Sequence, residues 1–192
     1  MGNHQVACCV FRLSLSRSTK HESRKEPPMS TFQQWLITEV PSEITADPLW
    51  HMEVYRIALF IGDIAWSDVS KLSQDPRMLK LSDQLYAAAG SISANIAEGY
   101  SKASKKDQAR FYEYSLGSAR ESRDWYFKSR HVLGNEVALH RMRLLVSVIR
   151  TLLKLVPKFR AKKIEKEIAE EIAPYEAYSL ESLLDNVPFS EM

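Results

Sequence analysis

Gln84-Leu85-Tyr86-Ala87-Ala88-Ala89-Gly90-Ser91-Ile92-Ser93-Ala94-Asn95-Ile96-Ala97-Glu98-Gly99 is the stretch on which the fold turns. With Leu81 just upstream, Leu85, Ala88, Ile92 and Ile96 recur at helical spacing and predict an amphipathic helix with one apolar stripe. The helix opens at Asp75-Pro76, an N-cap acceptor followed by proline at the first helical position, and Gly99 stands where a C′ residue would end it.

Working outward, the same punctuation returns at Asp47-Pro48, ahead of Leu49, Met52, Tyr55, Leu59 and Trp66, and predicts a helix to about residue 67. A third helix starts at Ser104-Lys105-Lys106-Asp107, a capping box with Asp in place of Glu, and stops at Gly134. The fourth begins near Asn135-Glu136 and carries Val137, Leu144, Leu145, Val148, Leu152 and Leu155, with Arg141 interrupting the seam and Pro157 kinking or ending it. Four such helices on short loops predict an all-α, up-down antiparallel four-helix bundle over residues 47–157. Residues 1–46 are read as a disordered or loosely ordered extension with Met29 as the true start, and 158–192 as a charged helical extension with an acidic tail. Runs of small residues around Gly90 and Gly117 predict close approach of the second and third helices, since mid-helix glycines otherwise cost stability.

The second-helix residues, with Ser101, Lys105 and the segment from Arg110-Phe111 to Gly117-Ser118, resemble a bacterial family of four-helix bundle proteins. The family is named for intervening sequences in 23S ribosomal RNA genes and includes the accessory variability determinant of diversity-generating retroelements. Its core pattern here is Ser-Ile-x-x-Asn-Ile-Ala-Glu-Gly, Ser91 to Gly99. The resemblance covers about residues 48–156 and implies assembly as a homopentameric barrel. For the retroelement members it also implies association with a reverse transcriptase and with nucleic acid. Two arginines usual ahead of the small run are replaced here by Tyr86 and Ala87, so a surface built on those arginines is missing.

Charge carries the functional reading. The net +2 is a cancellation: residues 134–163 hold 8 basic groups against one acidic, and 164–192 hold one against 8. Arg143, Arg150, Lys154, Lys158 and Lys162 recur at intervals of seven and four along the fourth helix, a stripe of roughly 28 Å that could track several phosphates of RNA or DNA. A solvated helix face explains the same stripe. The acidic tail is expected to fold back on it, so that removing 174–192 tightens nucleic-acid binding. Trp125, Tyr126 and Phe127, with Arg123, Lys128 and Arg130 around them, cannot all face one core, and burial between protomers is the expected use of the three rings.

No catalytic constellation is present: no His-Glu-x-x-His pair, nucleophile elbow or phosphate-cradling glycine loop. His51, His131 and His140 are too scattered for a ligand set, so no metal, cofactor or enzymatic activity is expected. Asn95, Glu98 and Gly99 are read as locking the turn into the third helix, with Glu98 reaching Ser104 to Lys106. Cys8 and Cys9, adjacent and without a second pair, fit a reducing cytoplasm, and no apolar run approaches the roughly 18–20 residues of a membrane span. The reading that results is a non-catalytic, oligomeric bundle that binds RNA or DNA and serves a reverse transcriptase. Its rival is a protein-interaction scaffold with no nucleic-acid binding, which loses its partner when 174–192 are removed.

Overall fold

The computed structural model describes residues 31–160 and 179–190. Every regular element among them is helical: α1 (Phe32–Thr38), α2 (Ser42–Thr45), α3 (Glu53–Leu72), α4 (Leu79–Tyr100), α5 (Lys105–Leu133), α6 (Asn135–Phe159) and α7 (Leu180–Asp185). The long helices α3 to α6 each pack on the next, and α3 also contacts α5 and α6. Their shared core includes Ile61, Ile64, Leu72, Leu85, Ile92, Ile96, Leu144, Leu145 and Leu152, all fully removed from solvent.

Both Asp-Pro signals work one step away from where the sequence places them. Asp47 accepts from the Leu49 amide at 2.8 Å and Asp75 from the Arg77 amide at 3.0 Å, but each caps a single 3-10 turn, Pro48–His51 and Pro76–Met78. The α-helices begin after those turns. The end of α3 lies beyond the expected residue 67, because Val69 and Leu72 continue its buried stripe. Ser104 caps α5 through the Asp107 amide, and Gly134 joins α5 to α6 at φ 89°, a conformation that favours glycine. Helix α6 passes through Pro157 and ends two residues later.

Residues upstream of the expected boundary at 47 also pack on the long helices. Phe32 and Trp35 on α1 are buried, their rings 5.2 and 5.3 Å from Phe60, and Trp35 Nε1 donates to Asp63 Oδ2 at 2.6 Å. Residues 1–30, which include Met29, lie outside the described residues.

Glycine placement also differs from expectation. Helix α4 runs through Gly99 to Tyr100, so Gly99 is no C′ residue. A Cβ there would meet Tyr112 Cε1 at 2.8 Å and Phe111 Cβ at 3.1 Å, which makes Gly99 the point of close approach between α4 and α5. Gly90 and Gly117 are exposed and a Cβ on either meets nothing within 4 Å, so neither draws the helices together within this chain. Among the small residues of α4 and α5, Ala89, Ser115, Ala119 and Ser122 are buried instead, and Ser115 Oγ donates to Ile92 O across the helix pair at 2.9 Å.

Candidate functional site

The basic stripe of α6 divides in two. Arg143 and Arg150 are partly buried, engaged with neighbours, and line a groove of about 500 Å³ with Arg123, Asp124, Phe127, Leu139, Met142, Val146, Ser147, Leu180 and Leu183. Lys154 and Lys158 are exposed, and Lys162 lies outside the described residues. Arg143 and Arg150 therefore do not share one open face with Lys154 and Lys158.

The exposed half gains companions that sequence spacing did not offer. Because α6 returns along α5, its C-terminus meets the beginning of α5: Tyr112 and Phe159 stack edge to face at 5.3 Å, and Arg160 Nη2 donates to Glu113 Oε2 at 2.7 Å. Lys102, Lys105, Lys106 and Arg110 thus share one end of the helical body with Lys154, Lys158 and Arg160. Glu113, one of the few acids there, is neutralised by Arg160. Aromatic faces accompany the cations: Lys102 Nζ sits 4.6 Å from the Phe111 ring, and Arg110 donates to the Tyr114 hydroxyl at 2.6 Å. The loop between α4 and α5 is held by Gln108 Nε2, which donates to Lys102 O at 2.7 Å.

Asn95, Glu98 and Gly99 hold that corner differently from expectation. Asn95 Nδ2 donates to Ser91 O of its own helix at 2.7 Å. Glu98 is exposed and makes no bond to Ser104, Lys105 or Lys106. Of the three, Gly99 is the one in contact with α5, through space rather than hydrogen bonding.

The other end of α6 holds a buried ionic clasp, which the sequence shows only as a break in the apolar seam at Arg141. Arg141 is fully buried and pairs with Asp68 of α3, Nε to Oδ2 at 2.9 Å and Nη2 to Oδ1 at 3.3 Å. Tyr126 of α5 donates its hydroxyl to the same Asp68 Oδ2 at 2.9 Å. The remaining Arg141 donors reach outward, Nη2 to Pro188 O at 2.9 Å and Nη1 to His140 Nδ1 at 2.9 Å, while His140 Nε2 lies 2.7 Å from Leu183 O. A guanidinium only donates and a carbonyl only accepts, so His140 must carry its proton on Nε2 and be neutral. Burial pushes its pKa down to about 4; the Leu183 carbonyl opposes this and the adjacent Arg141 charge adds to it. Tyr126 is pushed well above its ordinary value by burial and by Asp68.

The clasp thus ties α3, α5 and α6 to the segment 179–190. Helix α7 also packs against α1, Leu183 and Val187 are buried, and Arg141 faces the Phe189 ring at 5.2 Å. The described part of the acidic tail does fold back on α6, but onto His140 and Arg141 through backbone carbonyls, away from Lys154 and Lys158. Glu181 and Asp185 stay exposed. Tyr126 belongs to this chain's own core rather than to an interface between protomers, whereas Trp125 is partly buried and Phe127 is 53 % exposed. One signal in the sequence marks the clasp: Asp68 and Arg141 are opposite charges at core-facing positions of two helices.

His51 and His131 are exposed, apart from the buried His140, and among the described residues no three His, Cys, Asp or Glu side chains are placed to hold a metal ion. No helix among them is long and apolar enough to cross a membrane. Where the arginine pair was expected, Tyr86 stands edge to face on Trp66 of α3 at 5.7 Å, both rings exposed.

An all-α protein whose long helices close on a buried ion pair, with cations collected at one end, is the class these features define. Its particular family follows from comparison: the model of the 23S rRNA-intervening sequence protein family matches residues 51–154, and the chain belongs to that family. No curated protein and no solved structure matches the chain.

Proposed function

We propose that this protein is a non-catalytic, cytoplasmic up-down four-helix bundle that assembles as a homopentamer and binds RNA or DNA. The observation that carries the reading is the gathering of Lys102, Lys105, Lys106, Arg110, Lys154, Lys158 and Arg160 at one end of the helical body. Phosphate neutralisation by such a cluster gives sequence-independent, salt-sensitive affinity, and fivefold assembly multiplies it. Family resemblance extends the role to an accessory of a reverse transcriptase, holding template or product near the polymerase. A gel shift with RNA and with duplex DNA at two salt concentrations tests the proposal. Wild type retains nucleic acid at low salt, and Lys154→Glu with Lys158→Glu weakens the shift, most visibly at the higher salt. Absence of any retention at low salt rejects the reading.

A second reading is a protein-interaction scaffold without nucleic-acid binding. What favours it is the exposed apolar pair Trp66 and Tyr86, which a solvated surface does not require.

A further inference from the structure

We infer that the nucleic acid bound here is a single strand, with unpaired bases stacked on Phe111 and Tyr114 and its phosphates on the cations beside them. The inference rests on the nucleic-acid reading and sharpens it: phosphate attraction takes any strand, whereas stacking requires bases that are free.

Two rings stand outside the core at this corner. Tyr112, between them in sequence, is the one that fills it, 2 % exposed and edge to face with Phe159. Phe111 is half-buried, Tyr114 is 45 % exposed, and neither joins the hydrophobic core. Three residues apart on α5, they share one side of the helix and meet edge to face with centroids 5.8 Å apart. Both are held in place. The close approach at Gly99 sets Phe111 Cβ against α4, and the Tyr114 hydroxyl accepts from Arg110 Nε at 2.6 Å. Rings fixed in this way on a helix lose little freedom when a base lies on them.

A cation accompanies each ring. Lys102 Nζ is 4.6 Å from the Phe111 centroid, and the Arg110 guanidinium is 5.4 Å from that of Tyr114. Over residues 102–110, Lys102, Lys105, Lys106 and Arg110 stand against the single acid Asp107. The next acid, Glu113, is turned about 160° from Phe111 at the 3.6-residue period and is paired with Arg160 on the α6 side. Phe111, whose Cβ faces Gly99, is on the α4 side. Rings interleaved with cations hold single strands, because a π-face accepts any unpaired base while the charges follow the backbone. In a duplex each base is covered by its neighbours, and the phosphates alone remain to be held.

The test is fluorescence anisotropy with the full chain and three labelled probes. These are an oligothymidylate of about 20 nucleotides, longer than the usual site, an abasic strand with the same phosphates, and a mixed-sequence duplex of equal length. Wild type binds the oligothymidylate at least as tightly as the duplex, and the abasic strand about tenfold more weakly. Tyr114→Ala loses about tenfold on the oligothymidylate and less than about twofold on the duplex, while Tyr114→Phe, which keeps the ring, retains single-strand affinity. Phe111→Leu, which keeps apolar bulk against Gly99, repeats the measurement and replaces Tyr114→Ala should circular dichroism show lost helix. Equal binding of the abasic and thymidine strands, tighter binding of the duplex, or variants that lose nothing or lose equally on both probes overturn the inference and leave the phosphate reading standing. Retention of no probe at low salt overturns both.

Discussion

Replacing Arg141 by methionine leaves Asp68 with the Tyr126 hydroxyl as its one remaining donor, in a site with no access to water. The same change removes the bonds to His140 and to Pro188 O, so the clasp loses its centre and its hold on the tail. Breaking a buried pair by deleting one partner costs about 3–5 kcal/mol, most of it the desolvation of the charge left behind. With a urea dependence of about 2 kcal/mol per molar, the unfolding midpoint of Arg141→Met falls by about 2 M. Circular dichroism at the helix band across a urea titration reads this directly. Converting both partners, Asp68→Leu with Arg141→Met, removes the stranded charge and recovers most of the loss, because an apolar pair of similar volume replaces a buried ion pair at little cost. Amide exchange across 180–187 stays fast in both variants, since neither restores the tail's hydrogen bonds. A midpoint shift below about 0.5 M for the single variant, or a double variant as unstable as the single one, refutes the account of the clasp.

Other outcomes follow from the same geometry. His140 is neutral in the native state with a pKa near 4, against 6.5 unperturbed, so native stability is intact above 6.5 and declines as the pH falls toward 4. The loss reaches about 3 kcal/mol at 1.36 kcal/mol per unit, and urea midpoints at pH 7.5, 5.5 and 4.0 show a steeper fall for wild type than for His140→Asn. Gly99→Ala pushes a methyl group onto Tyr112 and the Phe111 Cβ and lowers stability by about 1–3 kcal/mol by calorimetry. Gly117→Ala meets open space within the chain and raises stability by about 0.5–1 kcal/mol. An unchanged Gly99→Ala protein contradicts the close approach of α4 and α5.

The long helices were legible in the sequence because their signals are local. Apolar spacing in 81–96 and 144–155 and the glycine at 134 each speak about one element, and these agree with the structure. Gly99 was misread because a C′ glycine and a glycine at a helix crossing look alike until the neighbouring helix is in place. Arg141 registered only as a defect in a seam, since its meaning depends on Asp68, 73 residues away, and on carbonyls of the tail. The basic stripe suffered the same limit: spacing along α6 could not report that α7 covers one half, or that Lys102 to Arg110 join the other. Helix α1 went unnoticed because it is too short for periodicity, and its Phe32 and Trp35 gain meaning only beside Phe60.

Nucleic-acid binding at the Lys102–Arg110 and Lys154–Arg160 end is the central claim, and its most direct test is the salt dependence of affinity. Anisotropy of a labelled duplex, titrated with protein from 50 to 200 mM salt as about the useful range, gives the slope of log K against log salt. Wild type is predicted to lose affinity steeply, and Lys154→Glu with Lys158→Glu to flatten the slope by about 2, near 0.9 for each phosphate contact removed. A wild-type slope near zero, or a slope that the two substitutions leave unchanged, contradicts the account.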